Sequence, residues 1–376
     1  KLAQLDAERK AVSESAPSTV ISQAGPPRTI RVLPRGNWMD DSGEIVDPAI
    51  PVFFGRLETT GRATRLDFAN WLCSAENPLT ARTVVNRIWG LMFGRGVCAS
   101  VEDFGGQGTF PSQPELLDAL AIRFVDSGWD IKKLIREIVL SQTYQRSSVT
   151  SQDLQNRDPY NDWFARQQSH PLIAEMVRDS LLSISGLLVE QVGGPSAHPY
   201  QPPGYYAQLN FPKREYQADM NANQYRRGVY AHWQRTFLHP MLKAFDAPSR
   251  EECTVQRARS NTPVQALTLL NDPSFVEAAR AFAARIVRSE GADVSSRVRW
   301  AYREAVSREP DAEITRVLVE LYNSHLAFYQ TDPDAATEIL MTGLAPIPPD
   351  IDSAELAAWT GVARALLNLH EVITRY

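Results

Sequence analysis

At Asn77-Pro78, Thr262-Pro263 and Asp272-Pro273 a helix-capping side chain is followed at once by proline and then by apolar residues at helical spacing. The oxygen of Asn, Thr or Asp can accept from an otherwise unpaired N–H of the first turn, and proline at the first helical position loses no bond that the helix needs. Each pair therefore predicts a helix start. The last two predict consecutive helices with a sharp bend at Asn271-Asp272. Apolar positions then recur at helical spacing through Val84, Val85, Ile88, Leu91 and Met92, a run that stops at Gly94. Ser112-x-x-Glu115 ahead of Leu116-Leu117 reads as a capping box, and Ser127-Gly128 as the end of that helix.

Further helices are expected over 62–74, 131–141, 171–185, 294–307, 311–330, 333–342 and 353–373. Short connections in the C-terminal half imply antiparallel packing. Residues 1–12 are polar and helix-compatible, and read as the end of a longer upstream helix. The one convincing β signal is Thr29-Ile30-Arg31-Val32-Leu33. The expected class is mainly α: an irregular multi-helix bundle with long loops and a small N-terminal β-containing segment. The expected organisation is 1–27 as upstream helix end and linker, 28–60 as an extended β-containing lead-in, and 61–376 as a helical domain with a sub-boundary near 190–240.

Composition closes several alternatives. A net charge of −5 argues against a binder that neutralises nucleic-acid phosphates. No run of 18 apolar residues occurs, so no transmembrane helix is expected. Cys73, Cys98 and Cys253 are too widely spaced for a zinc or redox motif, and buried, inert thiols are expected. Gly94-x-Gly96-x-x-Ala99 has the letters of a dinucleotide fingerprint but follows a helix rather than a strand, so it reads as a helix end and a turn. The histidines are scattered. His232 and His239 meet at a metal only by tertiary chance, and the adjacency of Ser196 and His198 does not make a triad. No metal site is expected.

Two regions concentrate polar and aromatic groups. Residues 193–230 follow neither period and carry, together with Trp233, the aromatics Tyr200, Tyr205, Tyr206, Phe211, Tyr216, Tyr225 and Tyr230. These either line a sugar-binding cleft or form the segment's own core. Arg226, Arg227, Arg250, Arg257, Arg259 and Asn261 stand near Asp246, Glu251 and Gln265. Guanidinium groups suit anion capture, and equally an internal network that stitches loops to helices. The candidate ligand-binding residues are Arg226, Arg227, Arg250, Arg259, Asn261, Tyr205, Tyr206 and Trp233, with Asp246 and Glu251 as weak candidates for acid or base. Glu175, Arg178 and Asp179 share a helix face, either as a carboxylate pair held by a guanidinium or as an ordinary ion pair.

The motifs together resemble a known family. They are Asn77-Pro-Leu-Thr-Ala-Arg-Thr-Val-Val-Asn-Arg-Ile-Trp, Glu102-Asp-Phe-Gly-Gly-Gln-Gly with Pro111-Ser-Gln-Pro-Glu-Leu-Leu, Gly193-Gly-Pro-Ser with Pro199-Tyr-Gln-Pro, Phe245-Asp-Ala-Pro-Ser-Arg-Glu, and Asn261-Thr-Pro-Val-Gln-Ala-Leu with Leu270-Asn-Asp-Pro. From about Thr29 onward the chain resembles the planctomycete-type domain of unknown function found C-terminal to planctomycete cytochrome c domains, the PSD-one family. Gln113, where His is common, and His239, in a stretch often rich in proline, depart from the pattern.

The resemblance implies an exported protein, periplasmic or at the cell surface. It implies haem c in an upstream cytochrome c domain as partner and no cofactor in this fragment. It carries over no catalytic residue. The resulting expectation is an accessory or binding domain of a cytochrome-linked protein. The alternatives are an enzyme or enzyme subunit acting on polysaccharide or another anionic polymer, and a protein–protein scaffold.

Overall fold

The computed structural model describes residues 1–15, 19–208, 215–234, 237–291 and 293–375. Phe211, one of the eight aromatics, lies outside them. The architecture is mainly α, with two small two-stranded sheets, as expected. The chain divides into two compact units, Lys1–Ile88 with Gln113–Arg136, and Trp89–Ser112 with Glu137–Tyr376.

The first unit opens with helix α1 (Leu2–Ser15), whose described side chains are exposed. Strands β1 (Ile30–Arg31) and β2 (Ile45–Val46) then pair antiparallel, Ile30 opposite Val46. The sequence marks β1 through its branched residues. β2 is too short to show a period. Helix α2 (Arg65–Leu72) is capped by Thr64, whose hydroxyl accepts from Asp67 N–H while the Asp67 carboxylate accepts from Thr64 N–H. Helix α3 (Thr80–Phe93) begins under the side chain of Asn77, which accepts from Leu79 and Thr80 N–H at 2.9 and 3.0 Å. It contributes residues as far as Ile88 to this unit and from Trp89 onward to the other.

Helix α4 (Pro114–Asp126) corrects the capping-box reading. Its N-cap is Gln113, and Ser112 instead turns its hydroxyl to the Val97 carbonyl. Proline at the first helical position suffices to start this helix. α4 buries Leu117, Leu120, Ala121 and Phe124 and ends at Gly128, which adopts a positive φ. Helix α5 (Ile131–Val139) follows.

In the second unit, α6 (Gln152–Arg157) lies where the sequence suggests only a loop, because Ser151 caps it. Strands β3 (His170–Pro171) and β4 (Thr374–Arg375) pair antiparallel and bring the chain's end to the start of α7 (Ala174–Ser185). Gly186 ends α7 in the left-handed conformation. After a long irregular segment come α8 (Pro240–Ala244), α9 (Pro263–Asn271), α10 (Pro273–Val287), α11 (Val294–Val306), α12 (Ala312–Thr331), α13 (Pro333–Leu340) and α14 (Ser353–Leu367). The bend between α9 and α10 falls at Asp272, which ends one helix and caps the next through Ser274 N–H.

α10 and α14 are the centre of this unit. Both are rich in alanine, so they can lie close together, and each buries residues on nearly every side. Phe275, Phe282, Ile286, Leu356, Trp359 and Leu366 are almost wholly removed from water. Burial of one such apolar side chain contributes about 1.5–3 kcal/mol. Trp359 meets Tyr322 of α12 with ring centroids 4.4 Å apart. Among the described residues no helix is long and apolar enough to cross a membrane.

The cysteine expectation holds for Cys98 alone. Cys73 and Cys253 are exposed, since both sit outside the buried stripes, and among the described residues none of the three forms a disulfide.

Gly361 lets α14 come close to α12. A Cβ there would overlap the imidazole of His325. Gly361→Ala is expected to lower stability by about 1–3 kcal/mol in urea unfolding, as overpacking does. Gly25→Ala, where a Cβ meets open space, should leave the midpoint unchanged.

Candidate functional site

The described residues between 187 and 234 form no α-helix or sheet, only three short 3-10 turns, Tyr205–Gln208, Ala222–Tyr225 and Gly228–Tyr230. Their order comes from two isolated parallel bridges, Val189–Arg226 and Ala197–Ala231, and from buried side chains that serve their carbonyl groups. Irregular backbone taken out of water must find such donors. Arg226 is 1% exposed and donates to the carbonyls of Pro195 at 2.7 Å, Gln191 at 3.2 Å and Gly193, while its guanidinium lies 4.0 Å over the Tyr230 ring. Tyr230 in turn accepts from Gly193 N–H. Gln224 spans the carbonyls of His198 and Asp219.

α7 holds the same segment from below, and this corrects both readings of its polar face. Glu175, Arg178 and Asp179 do not pair with one another. Arg178 is fully buried and donates to the carbonyls of Gln224 and Arg226. Burial pulls its guanidinium below the usual arginine value, against the attraction of Asp272 and Asp179. Asp179 accepts from Gly228 N–H at 2.6 Å and from Arg227 Nε at 3.0 Å. Glu175 accepts from Arg257 at 2.7 Å. Gly228 is required here, because a Cβ would lie 2.7 Å from the Glu175 Cα. The three residues bind loops because the irregular segment covers this face of α7, whose other sides pack on α10 and α8.

α10 supplies a second hub. Glu277 is 1% exposed and accepts from Tyr200 Oη at 2.9 Å, Tyr225 Oη at 2.7 Å and Ala345 N–H at 2.5 Å. Arg280 beside it donates to the carbonyls of Ala345 and Thr342. Burial first, then Glu277, pushes both phenols well above their ordinary range. These tyrosines are structural donors.

An open cleft of about 580 Å³ remains at the surface of the irregular segment. It is lined by His198, Tyr206, Glu215, Tyr216, Gln217, Asp219, His232 and Gln234, with Ala218 and Met220. The imidazoles of His198 and His232 stack at 4.5 Å with 21° between their planes. Tyr216 lies 5.5 Å from His198 and meets Tyr206 edge-on at 5.5 Å. Tyr216 Oη donates to the Pro199 carbonyl at 2.5 Å, and burial raises its pKa above the ordinary phenol value. Asp219 accepts from His198 N–H at 2.8 Å, which fixes one wall to the other. The site thus combines flat aromatic faces with amide, imidazole and carboxyl groups, an arrangement suited to hydroxyl-bearing ligands. Among the described residues no group of three or more His, Cys, Asp or Glu could hold a metal ion.

A second open cleft, of about 680 Å³, lies between α7 and α11 and includes Asp179, Ser183, Glu190, Arg227 and Glu304. Two of its charges are already matched, Asp179 by Arg227 and Glu304 by Arg285. The smaller cleft is therefore the better candidate.

Of the residues singled out in the sequence, Tyr206 lines this cleft, as does Tyr216 from the wider aromatic set. Tyr205 donates to the Leu238 carbonyl. Arg226 is buried among carbonyls, and Arg227 pairs with Asp179. Arg250 stacks 3.6 Å over Trp233, whose Nε1 donates to the Ser249 carbonyl. Arg259 and Asp246 border a small hollow with Gln265. Asp246 accepts from Ser260 N–H at 2.7 Å and Ser260 Oγ at 2.6 Å, whereas Glu251 and Asn261 are exposed. Asp246 and Arg250 both hold positive φ, a conformation that these contacts stabilise.

Sequence reasoning sets aside His198 and His232 and does not single out Glu215 or Asp219. No spacing brings His198 and His232 together; the bridge between Ala197 and Ala231 does. His239, which was weighed with His232, is instead 2% exposed. Its Nε2 donates to the Tyr200 carbonyl and its Nδ1 accepts from Met241 N–H.

The family model of PSD1, described as a protein of unknown function (DUF1553), matches residues 64–322, and the chain belongs to that family. The comparisons with curated proteins and with solved structures give no match.

Two predictions follow from the buried donors. Burial lowers the His239 pKa to about 4 from the ordinary 6.5. On acidification the unfolded chain takes up this proton first. The stability linked to His239 is therefore complete above about pH 6.5 and is lost, by about 3 kcal/mol in all, as pH falls to about 4. Urea unfolding at stepped pH should show a flatter profile for His239→Asn over that window. For Arg226→Lys, which keeps the charge but loses the fork, a loss of about 2–4 kcal/mol is expected, with hydrogen exchange accelerating first in residues 189–198.

Proposed function

We propose that this chain is an accessory binding domain of an exported protein linked to a c-type cytochrome domain, and that the cleft beside His198 and His232 is its ligand site. The ligand class is a polysaccharide. The observation that carries this reading is the cleft itself. Tyr206, Tyr216 and the imidazole pair offer flat faces to a sugar ring, while Gln217, Gln234, Glu215 and Asp219 supply donors and acceptors for hydroxyl groups. Family membership and the resemblance of the motifs support the cytochrome-linked, periplasmic or cell-surface setting. The lack of any recognised catalytic motif in the sequence supports a binding role.

A second reading, turnover of the same polysaccharide, draws on one observation: Glu215 and Asp219 line a single cleft. Paired carboxyl groups are the usual apparatus for cleaving a glycosidic bond.

The purified chain is expected to bind neutral oligosaccharides on a glycan array at pH 7.5 without releasing reducing ends. Gln217→Ala, an exposed change on the cleft wall, should weaken binding several-fold. Trp38→Ala, exposed on the other unit, should not. Absence of sugar binding at any concentration up to millimolar would overturn the reading. Accumulation of reducing ends would favour turnover.

A further inference from the structure

The larger cleft, between α7 and α11, presents an open guanidinium edge beside an open carboxylate. Its volume of about 680 Å³ is that of a pocket for a small molecule. We propose that it is a site for a zwitterion, an α-amino acid with a branched apolar side chain, whose carboxylate binds Arg227 and whose ammonium group binds Glu190. This goes beyond the polysaccharide reading and does not depend on it.

The backbone brings the two charges together. Val189 forms a parallel bridge with Arg226, so the next residue along each chain, Glu190 and Arg227, come side by side, and both line the cleft. Arg226 turns inward to the carbonyls of its own segment, whereas the side chain of Arg227 is 56% exposed. Arg227 is nevertheless aimed. Its Nε donates to Asp179 at 3.0 Å, and Asp179 is itself fixed by Gly228 N–H at 2.6 Å. The Nη groups of Arg227 make no hydrogen bond among the described residues. A guanidinium held at Nε still offers two parallel N–H bonds along its Nη edge, and a carboxylate accepts such a pair in bidentate form.

Glu190 supplies the opposite charge. It is exposed and has no hydrogen bond or ion pair among the described residues. The other carboxylates of the lining are engaged, Glu304 by Arg285 at 2.8 Å and Asp179 by Arg227. A simple anion at Arg227 is repelled by Glu190, and a simple amine at Glu190 is repelled by Arg227. A ligand that carries both charges a few bonds apart is attracted by both. Ile184, Leu188 and Val372 line the same cleft and offer an apolar surface that a branched side chain can remove from water.

The test is calorimetry and saturation-transfer NMR on the full chain at neutral pH. L-leucine is compared with isocaproate, which lacks the ammonium group, with isoamylamine, which lacks the carboxylate, and with glycine, which lacks the side chain. Leucine should bind at least about tenfold more tightly than isocaproate or isoamylamine, the effect of one charge-assisted contact, and several-fold more tightly than glycine. Arg227→Gln should weaken leucine at least about tenfold. Arg316→Gln, which removes a positive charge from the exposed face of α12, should not. Glu190→Gln should weaken leucine to a similar degree and, with the repelling carboxylate gone, let isocaproate bind several-fold more tightly. Glu190 holds nothing in place, so this variant decides the matter if Arg227→Gln loosens the fold.

Leucine bound no better than an analogue, parent-like leucine binding by folded Arg227→Gln or by Glu190→Gln, or no leucine binding up to tens of millimolar overturns the site. None of these outcomes touches sugar binding at the other cleft, which the glycan array reads separately.

Discussion

An irregular backbone can be laid over a helical core only if its carbonyl oxygens find donors there, and in this protein arginines are those donors. Arg226 serves the carbonyls of residues 191, 193 and 195, and Arg178 serves those of 224 and 226. A guanidinium has five N–H donors in a planar fork, so one buried side chain replaces several strand-to-strand bonds. The cost is desolvation of a charge, which in Arg178 is offset by Asp179 and Asp272 nearby. Leaving one of those carbonyls unpaired would cost about 1–3 kcal/mol. The described part of the segment is therefore held with only short 3-10 turns and isolated bridges of its own, and the cleft at its surface depends on those contacts.

This arrangement explains why the fold was legible in the sequence and the site was not. Helix starts are local: Asp272 and Pro273 announce α10 because cap and proline act within one turn of each other. The apolar stripes of α4, α7 and α10 likewise show through spacing alone. The cleft is assembled from His198, Tyr206, Glu215, Asp219 and His232, which no common period relates. Their meeting depends on bridges at Ala197–Ala231 and on the Gln224 side chain, both of them long-range contacts. Where residues were judged by type, the outcome followed the environment. Arginine beside exposed loop residues suggests an anion site, yet Arg226 sits 1% exposed among carbonyl groups.

The same logic separates the aromatic residues into two populations. Tyr200 and Tyr225 donate to Glu277, and Tyr205 donates to Leu238, so their hydroxyls are bound inward. Tyr206 and Tyr216 line the cleft, with the Tyr216 hydroxyl tethered to the Pro199 carbonyl. Within one segment, some aromatics line an open cleft and others turn inward.

Rigidity in such a segment has a consequence for recognition. A loop that orders only on binding lowers affinity by the entropy of ordering it, about 1–2 kcal/mol per residue for the backbone alone. Here the walls are tied in advance: Asp219 to His198 N–H, Ala197 to His232 N–H, and the base to α7 through Asp179, Gly228 and Arg178. Those links place the imidazole pair against Tyr216. The buried arginines and the surface cleft are in this sense one device, since substitutions under the segment reach the cleft walls through the same carbonyl contacts that hold the fold.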